Sequence, residues 1–356
     1  MISFDTKDFE RALSAVSPVI KRNSTIPVLG TVRVQADERG ARLIGTNLEA
    51  QITAKIEPQG KKLDIDVCIP LDRLQAAIKV AGPAITIKVA SGNKTNIKTG
   101  SSNLNPPAIW GAEMPLMAAE GDAMVEFQSD WLAGAMGRVD YFAPVMDIRA
   151  HLNGVYIESN GNELCAVATN GAALAVMRTG ADVGEFEAII PKLHVEMLVK
   201  LGAATYTVYE NFIAARADGV EIVAKLMNAK YVGWRRVVHD GGKNAVTLDR
   251  AQFLSAASVA ASFSAEANKK IMPAVRMDGR NGDVIVSNTG NDEFQMSVPA
   301  SDPKGAPLDA GLNAAYLTNT LKQLSGETVT LKWQDGLASF LITEDEFTAV
   351  IMPLKI

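Results

Sequence analysis

Along this chain, apolar and polar positions alternate in short runs, the period of a half-buried strand. They then switch, over helix-length stretches, to the three-and-four spacing of an amphipathic helix. The switch occurs in the same order three times, at a spacing near 120 residues, which reads as an internal repeat. Each repeat opens with a strand running into a helix start: "ISFDTKDFERAL", "VEFQSDWLAGAM" and "VTLDRAQFLSAA". Phe9, Leu132 and Phe253 take equivalent places, and Thr6, Ser129 and Asp249 are the expected N-caps. A strand pair ending in a polar dipeptide follows, at Thr46-Asn47, Thr169-Asn170 and Ser287-Asn288, with turn residues such as Asn160-Gly161 and Asn281-Gly282 inside the pairs. The third landmark is a second helix, with Pro70 and Pro191 suited to a first turn and Gly82, Gly202 and Gly326 placed after the last. Three tandem α+β repeats are expected, over residues 1–119, 123–240 and 244–356, joined near Ala119–Asp122 and Asp240–Lys243.

Composition narrows the class. With 47% of 356 residues apolar, the chain can fill several cores and is not disordered. Its start lacks the basic and long apolar regions of a signal peptide, and no stretch approaches the ~20 apolar residues that span a bilayer. Cys68 and Cys165, the two cysteines, each lie in an apolar strand-like run and read as buried free thiols. A cytoplasmic, reducing location is expected. The last stretch, "TEDEFTAVIMPLKI", alternates apolar and polar, meets Pro353 and stops on Ile356. By itself it reads as a core strand with a buried end.

The formal charge of −5 argues at first against a nucleic-acid partner, but the charge is unevenly distributed. The helical windows 6–22, 71–81, 129–141, 192–201, 249–270 and 313–325 hold thirteen Lys/Arg against eight Asp/Glu, so the remainder of the chain carries −10. If the helices shared one face, that face would attract a polyanion while the outside repelled it.

Catalytic motifs are missing. Gly241-Gly242-Lys243 lacks the spacing and hydroxyl of a phosphate-binding loop, and there is no G-x-S-x-G elbow or post-strand G-x-G-x-x-G. His151, His194 and His239 stand more than 40 positions apart, without neighbouring ligands, and read as surface residues. Asp64 and Asp66 share a strand side as a metal site might want, yet no third acid accompanies them. The four tryptophans are scattered and form no stacking platform. No catalytic residue, metal or cofactor is expected.

Four stretches together carry a family resemblance: "TIPVLGTVRVQADERGARLIGTNLEAQI", "IRAHLNGVYIESNGNELCAVATNGAALAV", "NAKYVGWRRVV" and the terminal "AVIMPLKI". They resemble the bacterial sliding clamp, the beta subunit of DNA polymerase III, in motif order over essentially the whole chain. The resemblance implies a head-to-tail homodimer whose six repeats close a ring around duplex DNA, with helices inside and sheets outside. It also implies a hydrophobic groove between the second and third repeats, where the replicative polymerase, the clamp loader and repair proteins insert short peptides. Matching groove positions are Leu152, Thr169, Gly171, Leu174, Val232, Arg236, Val237, Met272, Tyr316, Leu337, Ser339, Val350, Met352, Pro353 and Leu354. Lys21, Arg22, Arg73, Arg149 and His151 match the DNA-facing positions, and Leu104 and Phe263 the dimer contact. DNA contact would be non-sequence-specific, because a ring that slides needs weak phosphate contacts rather than base readout.

The chain also departs from the family pattern. Asn170-Gly-Ala-Ala-Leu-Ala175 stands where Asp-Gly-His-Arg-Leu-Ala is usual, and Val232-Gly233-Trp234 where Pro-Asp-Tyr is common. Ala172 and Ala173 remove bulk and a cation from the groove wall, so altered partner peptides are expected. The alternatives are a divergent clamp for another replicon or partner set, a metal enzyme built on Asp64 and Asp66, and a β-rich scaffold that never meets DNA.

Overall fold

The protein is described as a computed structural model, which covers residues 1–38, 40–60, 64–90, 94–119, 121–267, 273–280, 282–289, 294–335 and 338–355. Among them are six α-helices: α1 (Thr6–Val16), α2 (Leu71–Lys79), α3 (Trp131–Val139), α4 (Lys192–Leu201), α5 (Arg250–Ala267) and α6 (Ala314–Gln323). All six fall in the expected windows. The chain forms two compact units, Met1–Ala133 with Glu196–Met227, and Gly134–Val195 with Asn228–Ile356.

The first unit holds a five-stranded and a nine-stranded antiparallel sheet. The nine-stranded sheet is continuous from Ile109–Trp110 to Val125–Ser129. Its middle seam pairs Ala50–Ile56 with Val220–Lys225, in the register Ile52↔Ile222. On the strand Ile65–Pro70, Asp66 accepts two bonds from Arg33, Nε at 2.6 Å and Nη2 at 2.7 Å. Arg33 is 7% exposed, so this bidentate pair gives a nearly buried cation its counter-ion, which such burial requires. Asp66 therefore belongs to the sheet, and no cluster of metal-ligating side chains occurs among the described residues.

The second unit is built on one thirteen-stranded antiparallel sheet. Its interior strand Phe347–Ile351 lies between Ala173–Gly180 and Phe340–Glu344 and is buried along its whole length. The chain then leaves the interior. Met352 donates its N–H to Ala172 O at 2.9 Å, and Pro353–Leu354 pairs with Gly311–Leu312 in a different part of the same sheet.

The repeat landmarks have a common packing role. Phe9, Leu132 and Phe253 are all fully buried, each worth about 2–3 kcal/mol of apolar transfer. Three local expectations are corrected. Asp5, not Thr6, caps α1: its Oδ1 accepts from the N–H of Lys7 at 2.9 Å and of Asp8 at 3.2 Å. Thr6 Oγ1 instead donates to Gly82 O at 2.6 Å. Ser129 and Asp249 do accept from the first turns of α3 and α5. Pro70 occupies the N-cap of α2 rather than its first turn. His194 is buried rather than at the surface, within α4 and next to the fully buried Val195. The turn residue Asn281 lies outside the described residues.

Both cysteines are buried and free. Burial pushes the Cys68 thiol up to about 11 and the Cys165 thiol up to about 12, the latter helped by Glu163, so the reactive thiolate is scarce. Native protein at pH 8 is expected to give no reaction with a thiol reagent such as DTNB, and denatured protein two equivalents; fast labelling of the native form would contradict this packing.

Candidate functional site

A cavity of about 300 Å³ opens in the second unit where four segments converge. The first is the turn Arg149–Leu152, the second the hairpin corner Thr169–Leu174, the third the linker bearing Val232 and Val237, and the fourth the end of the strand Phe347–Ile351 with Met352. Antiparallel register dictates the convergence: Leu174 sits directly opposite Val350, and Ala173 opposite Ile351. Such cross-strand pairs bring side chains within about 5 Å of each other on one face.

The floor is apolar and closed. Leu152, Leu174 and Val350 are each 2% exposed, and Thr169 turns its hydroxyl away to Ala173 O at 2.7 Å. The rim is apolar and open, formed by Val232, Val237 and Met352, which expose roughly two-fifths of their surface. Ala172 and Ala173 complete one wall. An apolar floor under an exposed apolar rim is the arrangement that captures one or two anchor side chains of a peptide. The flexible thioether of Met352 lets the mouth adapt to more than one.

Gly171 is held at φ +90, and a Cβ there would come within 2.7 Å of Arg149 Nη1. Glycine meets both demands, and the guanidinium can then lie across the corner. Arg149 donates from Nη2 to Asn170 O at 2.8 Å, and from Nε and Nη2 to the two Asp147 oxygens at 3.0 and 2.8 Å. The Arg149 side chain, followed by its backbone N–H, holds the Asp147 carboxyl near the bottom of the carboxylate range, at about 2. Arg149 and His151, placed by sequence at DNA-facing positions, thus line the cavity mouth, and the Arg149 charge is locally neutralised.

The linker that supplies Val232 and Val237 is itself anchored. Trp234 is buried and donates Nε1–H to Glu158 at 3.1 Å; Arg235 stacks over the Trp234 ring, 4.3 Å from its centroid. Arg235 also pairs with Glu158, and with Glu163 at 3.0 Å. Tyr231 stacks on Tyr156 at 4.5 Å. Sequence reasoning missed this anchor, whose partners lie more than 70 positions apart.

The other expected groove residues are not brought into this cavity. Ser339 bonds His239 Nε2 at 2.8 Å, Tyr316 lies half-buried on α6, 6.4 Å from the Phe142 ring, and Arg236 is exposed on the linker. Pro353 and Leu354 are half-buried in the edge pairing with Gly311–Leu312. Met272 and Leu337 lie outside the described residues. Of the DNA-facing set in the first unit, Lys21, Arg22 and Arg73 are exposed; Arg22 donates to Gln75 at 2.9 Å, and Arg73 stands 3.5 Å from Asp72. Leu104 is half-exposed on the edge strand Ser102–Leu104. Phe263 stacks on Phe294 at 5.9 Å.

Family profiles cover nearly the whole chain. They match the DNA polymerase III beta subunit: its N-terminal domain over residues 1–118, central domain over 126–232 and C-terminal domain over 235–355. The chain belongs to that sliding-clamp family. It is 25% identical over 362 residues to the beta sliding clamp of Pseudomonas aeruginosa and 23% identical over 368 residues to that of Escherichia coli, with 97% of each chain covered. Among solved structures it resembles a P. aeruginosa sliding clamp bound to griselimycin, with TM-score 0.91, 24% identity and full coverage of both chains. The Caulobacter crescentus clamp matches with TM-score 0.89 and 21% identity, over 100% of this chain and 99% of that one. The sliding-clamp family is non-catalytic, so the chain is a polymerase processivity factor and not an enzyme. No helix among the described residues is long and apolar enough to cross a membrane.

Two outcomes follow from the Asp147–Arg149 pin. Asp147→Ala should expose the 147–149 turn to trypsin, giving a fragment ending at Arg149 that wild type yields far more slowly, as read by mass spectrometry. Because the folded carboxyl titrates below its ordinary 3.8, the pin is intact above that value and is lost as pH falls towards about 2.

Proposed function

We propose that this chain is the homodimeric sliding clamp of a bacterial replicase, a ring that holds DNA polymerase on duplex DNA. Its three repeats, over residues 1–119, 123–240 and 244–356, would join head-to-tail with those of a second copy to close a six-repeat ring. Basic helices would face non-sequence-specific duplex, and the more acidic remainder of the chain would face outward, in the cytoplasm. Lys21, Arg22, Arg73, Arg149 and His151 are the proposed phosphate contacts; Lys21, Arg22 and Arg73 are exposed, and Arg149 keeps half of its side chain in water while it pairs with Asp147.

The cavity between Leu174, Val350 and the exposed rim is the docking groove for peptides from the polymerase, the clamp loader and repair proteins. The observation that carries this reading is the apolar floor beneath Val232, Val237 and Met352, in a chain of this family. The small Ala172 and Ala173 wall favours partner peptides that differ from the usual consensus, with bulkier anchors. That substitution motivates the second reading, a clamp dedicated to a different replicon or partner set.

Fluorescence anisotropy with a labelled clamp-binding peptide tests the groove. Because Val350 sits in an interior strand, Met352→Asp at the exposed rim is the informative variant. Wild type should bind and Met352→Asp should weaken binding at least tenfold; equal affinities would sink the groove assignment. Peptides with larger apolar anchors should gain affinity over the usual ones, and identical ranking with a typical family member would remove the case for altered specificity.

For ring closure, Leu104→Asp and Phe263→Asp should each give monomers by light scattering, because burying an unpaired charge at a subunit contact is strongly unfavourable. A dimer mass for both would exclude that pair of contacts.

A further inference from the structure

Just before the cavity, the turn Val145-Met146-Asp147-Ile148 presents three large apolar side chains to water. Met146 is 92% exposed, Ile148 100% and Val145 59%. Single exposed apolar residues are ordinary; three within four residues on a fixed turn mark an interaction surface. The turn is fixed at several points. Asp147 N–H donates to Asn153 Oδ1 at 2.7 Å, and Asn153 Nδ2 donates back to Asp147 O at 3.0 Å. The Asp147 carboxylate is held by Arg149. Lys192 Nζ donates to Ala143 O at 2.6 Å, which brings the first turn of α4 against the base of the loop, and Leu193 there is 74% exposed. The hydrogen bonds turn the polar groups inward, so the apolar side chains project outward from a preorganised backbone.

We propose that Val145, Met146, Ile148 and Leu193 form an apolar shelf that continues the groove. It would receive aliphatic or aromatic residues flanking the anchor segment of a partner peptide. The proposal rests on the groove reading above. Continuity argues for this occupant: Ile148 is bonded to Arg149, and Arg149, His151 and Leu152 line the cavity. A peptide leaving the cavity over the Arg149 guanidinium meets Ile148 one residue, about 3.8 Å, further on. Duplex DNA fits the shelf poorly. Its phosphates find no apolar complement there, and the two neighbouring cations are engaged, Arg149 with Asp147 and Lys192 with the Ala143 carbonyl. The two adjacent alanines also make the cavity wall shallow, and a shelf outside it would add apolar contact beyond the core anchors.

The test uses the full chain and two fluorescein-labelled peptides with one clamp-binding core, flanked on both sides by Ser-Ser-Ser or by Leu-Ser-Leu. Affinities are compared for wild type and the double variant Met146→Ser/Ile148→Ser, whose substituted positions are solvent-exposed and should leave the melting temperature unchanged. The expected result is a roughly tenfold preference of wild type for the leucine flanks. The double variant should lose that preference while binding the serine-flanked core as wild type does. No preference in wild type, or an equal preference in the variant, overturns the shelf and leaves the groove standing. Failure of the core peptide to bind wild type, or to respond to Met352→Asp, overturns the groove and the shelf with it. Altered retention of the double variant on closed circular duplex, with peptide preference intact, assigns the loop to DNA and overturns the proposal.

Discussion

The antiparallel register between Ala173–Gly180 and Phe347–Ile351 is the constraint on which the site depends. It places Leu174 opposite Val350, and a slip of one residue would turn both side chains to the opposite face of the sheet. It also sets Met352 beside Ala172, whose carbonyl accepts the methionine N–H. With the strand held on both sides, the chain beyond Ile351 can leave the interior without disturbing the floor, and only there does the sequence become exposed. Rigid floor and adaptable rim thus come from adjacent residues of a single segment.

Around that register, polar groups set the shape while apolar groups provide the contact surface. Glu158 accepts from Trp234 and pairs with Arg235, fixing a linker that has little regular structure of its own. Asp147 does the same for the turn preceding the cavity. In both cases a carboxylate receives bonds from a guanidinium and a second N–H donor, so neither buries an uncompensated charge. These two pins leave valines, a methionine and an isoleucine facing solvent on ordered backbone, where they would bind with little loss of conformational freedom.

The repeat architecture was legible in the sequence because it is written in periodicity. Phe9, Leu132 and Phe253 recur in phase, and each is buried in the first helix of its repeat. Local chemistry was legible only in part. Asp5 and Thr6 are both good caps one position apart, and the choice was made by a carbonyl 76 residues away, at Gly82. His194 has the composition of a surface residue, and only the packing of α4 buries it. Arg149 reads in the sequence as a free cation, because charge is visible there and pairing is not; its bonds to Asp147, two positions before it, show only in the structure. Membership of the clamp family pointed to residues at this cavity, but the Trp234–Glu158 anchor is non-local and follows no spacing rule.

The seam between Ala50–Ile56 and Val220–Lys225 has a consequence for biosynthesis. One side of the strand Ala50–Ile56 pairs with Gly40–Thr46, made just before it; the other side waits for residues emerging roughly 170 positions later. At about 5–20 residues per second, that edge stays unpaired on the ribosome for on the order of ten seconds or more. It is an amphipathic strand with open backbone donors and acceptors, the kind of template on which nascent chains join one another. The yield of native protein should therefore depend on how quickly the middle of the chain is translated, and on whatever shields that edge until its partner arrives.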